Sequence, residues 1–99
     1  MIPEVDGMRI GAYQFPVTGK PGENLAHMEK GIVQAKEAGV ELLVFPECAV
    51  TGYPVLSYPS VAEADLAGAE AAHARIREMA AASGITVITG TIRRQGDAV

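Results

Sequence analysis

The chain has 99 residues, 48% of them hydrophobic and 20% charged, and 8 Lys+Arg against 12 Asp+Glu give a net charge of −4. That is room for one small domain with a modest core. The acidic balance excludes a basic nucleic-acid footprint, and no apolar stretch approaches the roughly 20 residues that a membrane span needs.

In chain order, residues 1–7 carry Glu4 and Asp6 and lack the basic-then-apolar pattern of a signal peptide. Residues 8–15 (MRIGAYQF) predict a strand that ends at Pro16. Pro16, Gly19, Pro21 and Gly22 mark a loop, and Pro21 suits the first turn of a helix, where a missing N–H costs nothing. From Asn24 onward, Leu25, Met28, Ile32 and Ala35 recur at helical spacing, with Glu29, Lys30, Lys36 and Glu37 largely off that stripe. Gly39 stops this helix. Residues 42–45 (LLVF) form an unbroken apolar run, the pattern of a strand covered on both faces. Residues 47–60 contain Gly52, Pro54 and Pro59 and predict a long loop, too apolar at Val50, Tyr53, Val55, Leu56 and Tyr58 for disorder. Residues 61–83 predict a second helix with Leu66, Ala69, Ala72, Ile76 and Met79 along one face and Gly84 closing it. Residues 85–92 (ITVITGTI) predict another buried strand, and 93–99 begin a turn with Gly96-Asp97 near its tip. The order β-α-β-loop-α-β predicts an α/β fold with parallel strands and helices packed against the sheet.

Spacing removes several chemistries. The single cysteine, Cys48, makes no internal disulfide, which fits a reducing cytoplasm, and no Cys/His cluster has zinc-ligand spacing. Gly19-Lys20 is not the end of a phosphate-binding loop, because Gln14 holds the earlier glycine position and Pro21 the Ser/Thr position. The first strand leads into FPVTGKPG rather than a G-x-G-x-x-G turn, and no G-x-S-x-G occurs. His27 and His73 fall in helices without an H-E-x-x-H pattern and are expected to be surface or boundary residues.

The informative stretch is 42–54, LLVFPECAVTGYP. In parallel α/β sheets, active sites lie at the carboxyl ends of the strands. Glu47 sits there, two residues past the apolar run. A carboxylate beneath apolar loop residues is expected to be partly desolvated, which raises its pKa toward a general base's range. Position alone fits a helix-capping or solvent-facing carboxylate equally well.

This run resembles the catalytic-glutamate signature of the nitrilase (carbon-nitrogen hydrolase) superfamily. The context is similar as well: the opening RIGAYQFPV, a helix carrying Asn24, AKEAGV at 35–40 before the strand, and MAAASGITVITG at 79–90. The similarity begins at about Arg9 and covers nearly all of residues 8–99, so the 99 residues are expected to be the N-terminal part of such a domain. The resemblance implies an α-β-β-α sandwich that hydrolyses a non-peptide C–N bond in an amide, nitrile or carbamoyl compound. It implies a Glu-Lys-Cys triad, no metal or organic cofactor, a small-molecule amide or nitrile substrate, no nucleic-acid or membrane partner, a homo-oligomer and a cytoplasmic location. Glu47 matches the glutamate, as general base. The family's lysine and cysteine follow the glutamate, whereas Lys20, Lys30 and Lys36 precede Glu47, so both are expected outside this chain.

Cys48 is not at the family's cysteine position, and neighbours in extended chain point to opposite faces, so it is expected to be a small buried hydrophobe. Tyr53 lies where the family's loop approaches substrate; it either lines that pocket or is a core aromatic with its hydroxyl at the surface. Thr51 and Gly52 are expected to shape the turn. The alternative to an enzyme part is a non-catalytic fragment, or a module that pairs with another chain through an uncovered sheet.

Overall fold

The computed structural model describes residues 4–5, 7–52 and 64–92. Six elements follow one another: β1 (Glu4–Val5), β2 (Met8–Ala12), α1 (Pro21–Glu37), β3 (Leu42–Val44), α2 (Leu66–Ser83) and β4 (Thr86–Ile88). The sheet order is β1-β2-β3-β4. The last three strands are parallel, in register Gly11↔Leu43↔Val87, and β1 pairs antiparallel with the start of β2. The expected alternation is therefore present, with one addition: the sequence reading assigns no element to residues 1–7. The strands are shorter than their apolar runs. After Ala12 only the Tyr13 amide still reaches β3, donating to the Val44 carbonyl at 3.0 Å.

Both helices begin and end where local chemistry directs. Pro21 occupies the first turn of α1, and Gly39 follows its end with φ +75°. Helix α2 starts at Leu66 rather than at residue 61, because Asp65 caps it: its carboxylate accepts the Gly68 amide at 2.8 Å. Residues 61–63 lie outside the described set. Gly84 closes α2 in the left-handed conformation, φ 68°, which a side chain would strain. Asp65→Ala should cost about 1 kcal/mol of stability, the usual value of a lost N-cap. A urea titration measures it, and an unchanged midpoint would show that the cap contributes nothing.

Helices α1 and α2 pack on each other and on the same sheet face. Met28, Ile32 and Ala35 from α1 meet Ala69, Ala72 and Ile76 from α2 over Leu43 and Phe45, with Val87 partly buried beside them. Glu29 and Arg75 bridge the helices at 2.9 Å, which raises the Arg75 pKa. The other sheet face is different. Ile10, Leu42 and Val44 on it are half-buried, Ala12 and Thr86 exposed, and Ile88 is 52% exposed. No described helix or strand lies over them. Within the described residues, 42–45 are thus covered on one face rather than the two expected, and 86–88 are less buried than the strand expected at 85–92. Their continuous apolar pattern persists although the described elements cover one side only.

Candidate functional site

The site is built where β3 runs out. Phe45 is the last residue to pair, its amide donating to the Ile88 carbonyl at 2.9 Å, and its ring is buried. Pro46 then breaks the ladder, and residues 47–51 coil into a tight turn. The Ala49 amide donates to the Pro46 carbonyl at 3.2 Å and the Gly52 amide to the Cys48 carbonyl at 2.8 Å. Ala49, Val50 and Thr51 are fully buried. The turn thus sends its second half into the core and its first half outward.

Glu47 is exposed. Of its two expected readings, the described residues match the solvent-facing one: none of them covers Glu47, because Ala49 and Val50 turn inward rather than over it. The continuation, including Tyr53, lies outside the described residues. Thr51 and Gly52 do shape the turn, Thr51 buried and Gly52 with φ +83°.

Cys48 also differs from expectation. The chain here is not extended: Cys48 has φ 52°, an uncommon conformation for a residue with a side chain. It is half-buried rather than buried. Desolvation pushes its thiol pKa up, and the adjacent Glu47 charge adds to this. Such a thiol is less readily ionised than an ordinary one, the reverse of what an activated nucleophile needs.

Two features to which the sequence reading gives no role hold the turn. On one side stands Asn24, which is 0% exposed in the first turns of α1. Its Nδ2 donates to the Val50 carbonyl at 3.0 Å and to the Thr18 carbonyl at 2.8 Å, and its Oδ1 accepts the Thr18 amide at 2.9 Å. On the other side, the Val50 amide donates to the Gly90 carbonyl at 3.4 Å. A Cβ on Gly90 would collide with the Cys48 amide nitrogen and lie 3.0 Å from Glu47 Cα. The signal for Asn24 was present, a polar residue four positions before Met28 on the apolar stripe. Gly90 carries no such signal.

The other candidates lie apart from the turn. Lys20 pairs with Glu23 at 3.5 Å, Lys36 donates to the Ser83 carbonyl at 3.2 Å, and Lys30 is exposed on α1; no described ion pair joins a lysine to Glu47. His27 is exposed and stacks on Phe15. His73 is not the surface or boundary residue expected: it is buried, with Nε2 2.7 Å from Thr91 Oγ1, because the segment after β4 passes over α2 at that point. Among the described residues no three His, Cys, Asp or Glu group as metal ligands, and no helix is long and apolar enough to cross a membrane.

Comparison with known proteins gives concordant findings. Residues 9–99 match the sequence pattern of the family described as carbon-nitrogen hydrolase. The chain is 34% identical over 98 residues to the chloroplastic omega-amidase of Arabidopsis thaliana, an alignment spanning 96% of this chain and 27% of that protein. It is 47% identical over 49 residues to the protein N-terminal amidase of Schizosaccharomyces pombe, covering 46% of this chain and 17% of that protein. The chain therefore spans only about a quarter or less of the length of these two relatives.

Proposed function

We propose, for a chain that belongs to the carbon-nitrogen hydrolase family, that it supplies the general base of a site hydrolysing a non-peptide C–N bond, most simply an amide. The observation that carries this reading is Glu47. It stands just past the carboxyl end of the central strand of three parallel ones, in the LLVFPE run that the family match includes. On this reading the 99 residues are the N-terminal part of the domain. The lysine and the nucleophilic cysteine come from outside them, since every lysine here precedes Glu47 and Cys48 is poorly disposed to ionise. The rest of an α-β-β-α sandwich would cover the open face of Ile10, Leu42, Val44 and Ile88.

The chemistry then has two halves. Glu47 accepts the proton of the cysteine thiol, and the sulfur attacks the amide carbon. The C–N bond breaks as the nitrogen takes that proton and leaves as ammonia or an amine, and a thioester remains. Glu47 next accepts a proton from water, whose oxygen displaces the sulfur to give the acid and regenerate the thiol. A carboxylate suits both steps because a thiol with an ordinary pKa of about 8.5 needs a base at neutral pH. The lysine cation offsets the charge that develops on the carbonyl oxygen.

The test is ammonia release from a panel of short aliphatic amides by the protein purified from its own source and by its Glu47→Gln variant. Loss of a general base should lower the rate about 10³-fold. Because Glu47 is exposed on this chain and the exchange keeps the side chain's shape, Glu47→Gln in the 99 residues should melt with the parent chain. An active Glu47→Gln protein would refute the assignment.

A further inference from the structure

We infer that Asn24 is a positioning residue, its buried carboxamide fixing the turn that carries Glu47 by fastening the Val50 carbonyl to helix α1. The inference rests on the reading of Glu47 as general base, and it adds what holds that base in place. A leucine or methionine would continue the stripe of Met28 and Ile32 and avoid the cost of burying an amide, which is offset only when every polar atom is bonded. In Asn24 every one is. Oδ1 takes the Thr18 amide, one Nδ2 hydrogen goes to the Thr18 carbonyl, and the other goes to Val50.

These partners locate the function. Thr18 belongs to the loop after β2, and Val50 to the turn after β3, adjacent parallel strands. One rigid planar group therefore locks together the two loops at the carboxyl edge of the sheet. Val50 is held through both backbone groups, its carbonyl by Asn24 and its amide by Gly90. Glu47 is three residues upstream on the same turn, its backbone close against Gly90 and its carboxylate without a hydrogen bond or ion pair among the described residues. A base works only within hydrogen-bond reach of the proton it takes, and a misplacement of about 1 Å can cost about 10²-fold in rate.

The experiment is amide hydrogen exchange on the chain and on Asn24→Ala. The Val50 and Gly52 amides should exchange at least about 10-fold faster in the variant relative to Leu43 and Ile76 in the same molecule. A residue that merely stabilised the fold would speed all four alike, and that result would overturn the inference. Cys48, the single cysteine of the 99 residues, provides a second readout on this chain. Its alkylation should have a midpoint above the ordinary thiol value of about 8.5 in the parent chain and move down in Asn24→Ala as the turn loosens; an unmoved profile would overturn it. Should Asn24→Ala not fold, the parent chain still decides. A slowly exchanging Asn24 side-chain amide with scalar coupling to the Val50 carbonyl supports the clasp, and its absence from the folded chain refutes it. In the ammonia assay, Asn24→Ala should lower kcat with KM nearly unchanged and add little to Glu47→Gln, whereas additive losses would count against it. The exchange and coupling readouts are independent of what Glu47 does chemically, so failure of the clasp and failure of the general-base reading are told apart.

Discussion

Gly90→Ala should destabilise the chain by about 2–3 kcal/mol, at the upper end for an added methyl group in a packed interior. The new Cβ would fall inside contact distance of the Cys48 amide nitrogen and lie 3.0 Å from Glu47 Cα and 3.1 Å from the Glu47 carbonyl carbon. All three are backbone atoms. No side chain can rotate away, so either the turn lifts off the segment after β4 or that segment shifts and strains the Val50–Gly90 hydrogen bond. For a domain of this size the loss corresponds to a melting temperature lower by about 10–20 °C. Gly22→Ala is the control, since nothing lies within 4 Å of a Cβ there and the helix gains propensity. The decisive comparison is thermal melting of the two variants with the amide resonances of residues 47–50. If Gly90→Ala melts with the parent chain and leaves those resonances unmoved, the close approach is not a constraint.

Ile32→Ala should cost about 3 kcal/mol, and Val33→Ala less than about 0.5. The two neighbours, both β-branched, differ chiefly in which way α1 turns them. Ile32 is 0% exposed in the layer between α1, α2 and the sheet, whereas Val33 is 50% exposed. Removing three buried carbons forfeits their transfer free energy and leaves a cavity that flanking helices close only in part. Small domains hold about 5–15 kcal/mol in total, so a loss of this size moves the denaturant midpoint far while the slope stays constant. Equal midpoints for the two variants would mean that α1 is not seated on the sheet by the face described.

The two helices, the parallel strand order and the stops at Gly39 and Gly84 were legible because each rests on local chemistry: helical spacing, a proline in a first turn, a glycine free to take positive φ. Burial was less legible. The LLVF run at 42–45 read as a strand covered twice and the run at 85–92 as a buried one, yet the described elements cover one face, because composition does not say which element lies opposite. Of the site, the location of Glu47 at the strand end was legible and its exposure was not. That exposure follows from the inward turn of Ala49 and Val50 and from the positive φ of Cys48, which pair contacts forty residues along the chain impose. His73 was misjudged for the same reason, since Thr91 reaches it from beyond β4.

The double hold on Val50 also has a bearing on when the turn takes shape. Its two hydrogen bonds reach back to residue 24 and forward to residue 90, across stretches of chain whose closure costs entropy before either bond forms. The forward bond requires β4 to have paired with β3. During synthesis the ribosome adds Glu47 long before Gly90, so the acid waits on a half-anchored strand end while α2 emerges. The carboxylate is made early and placed late.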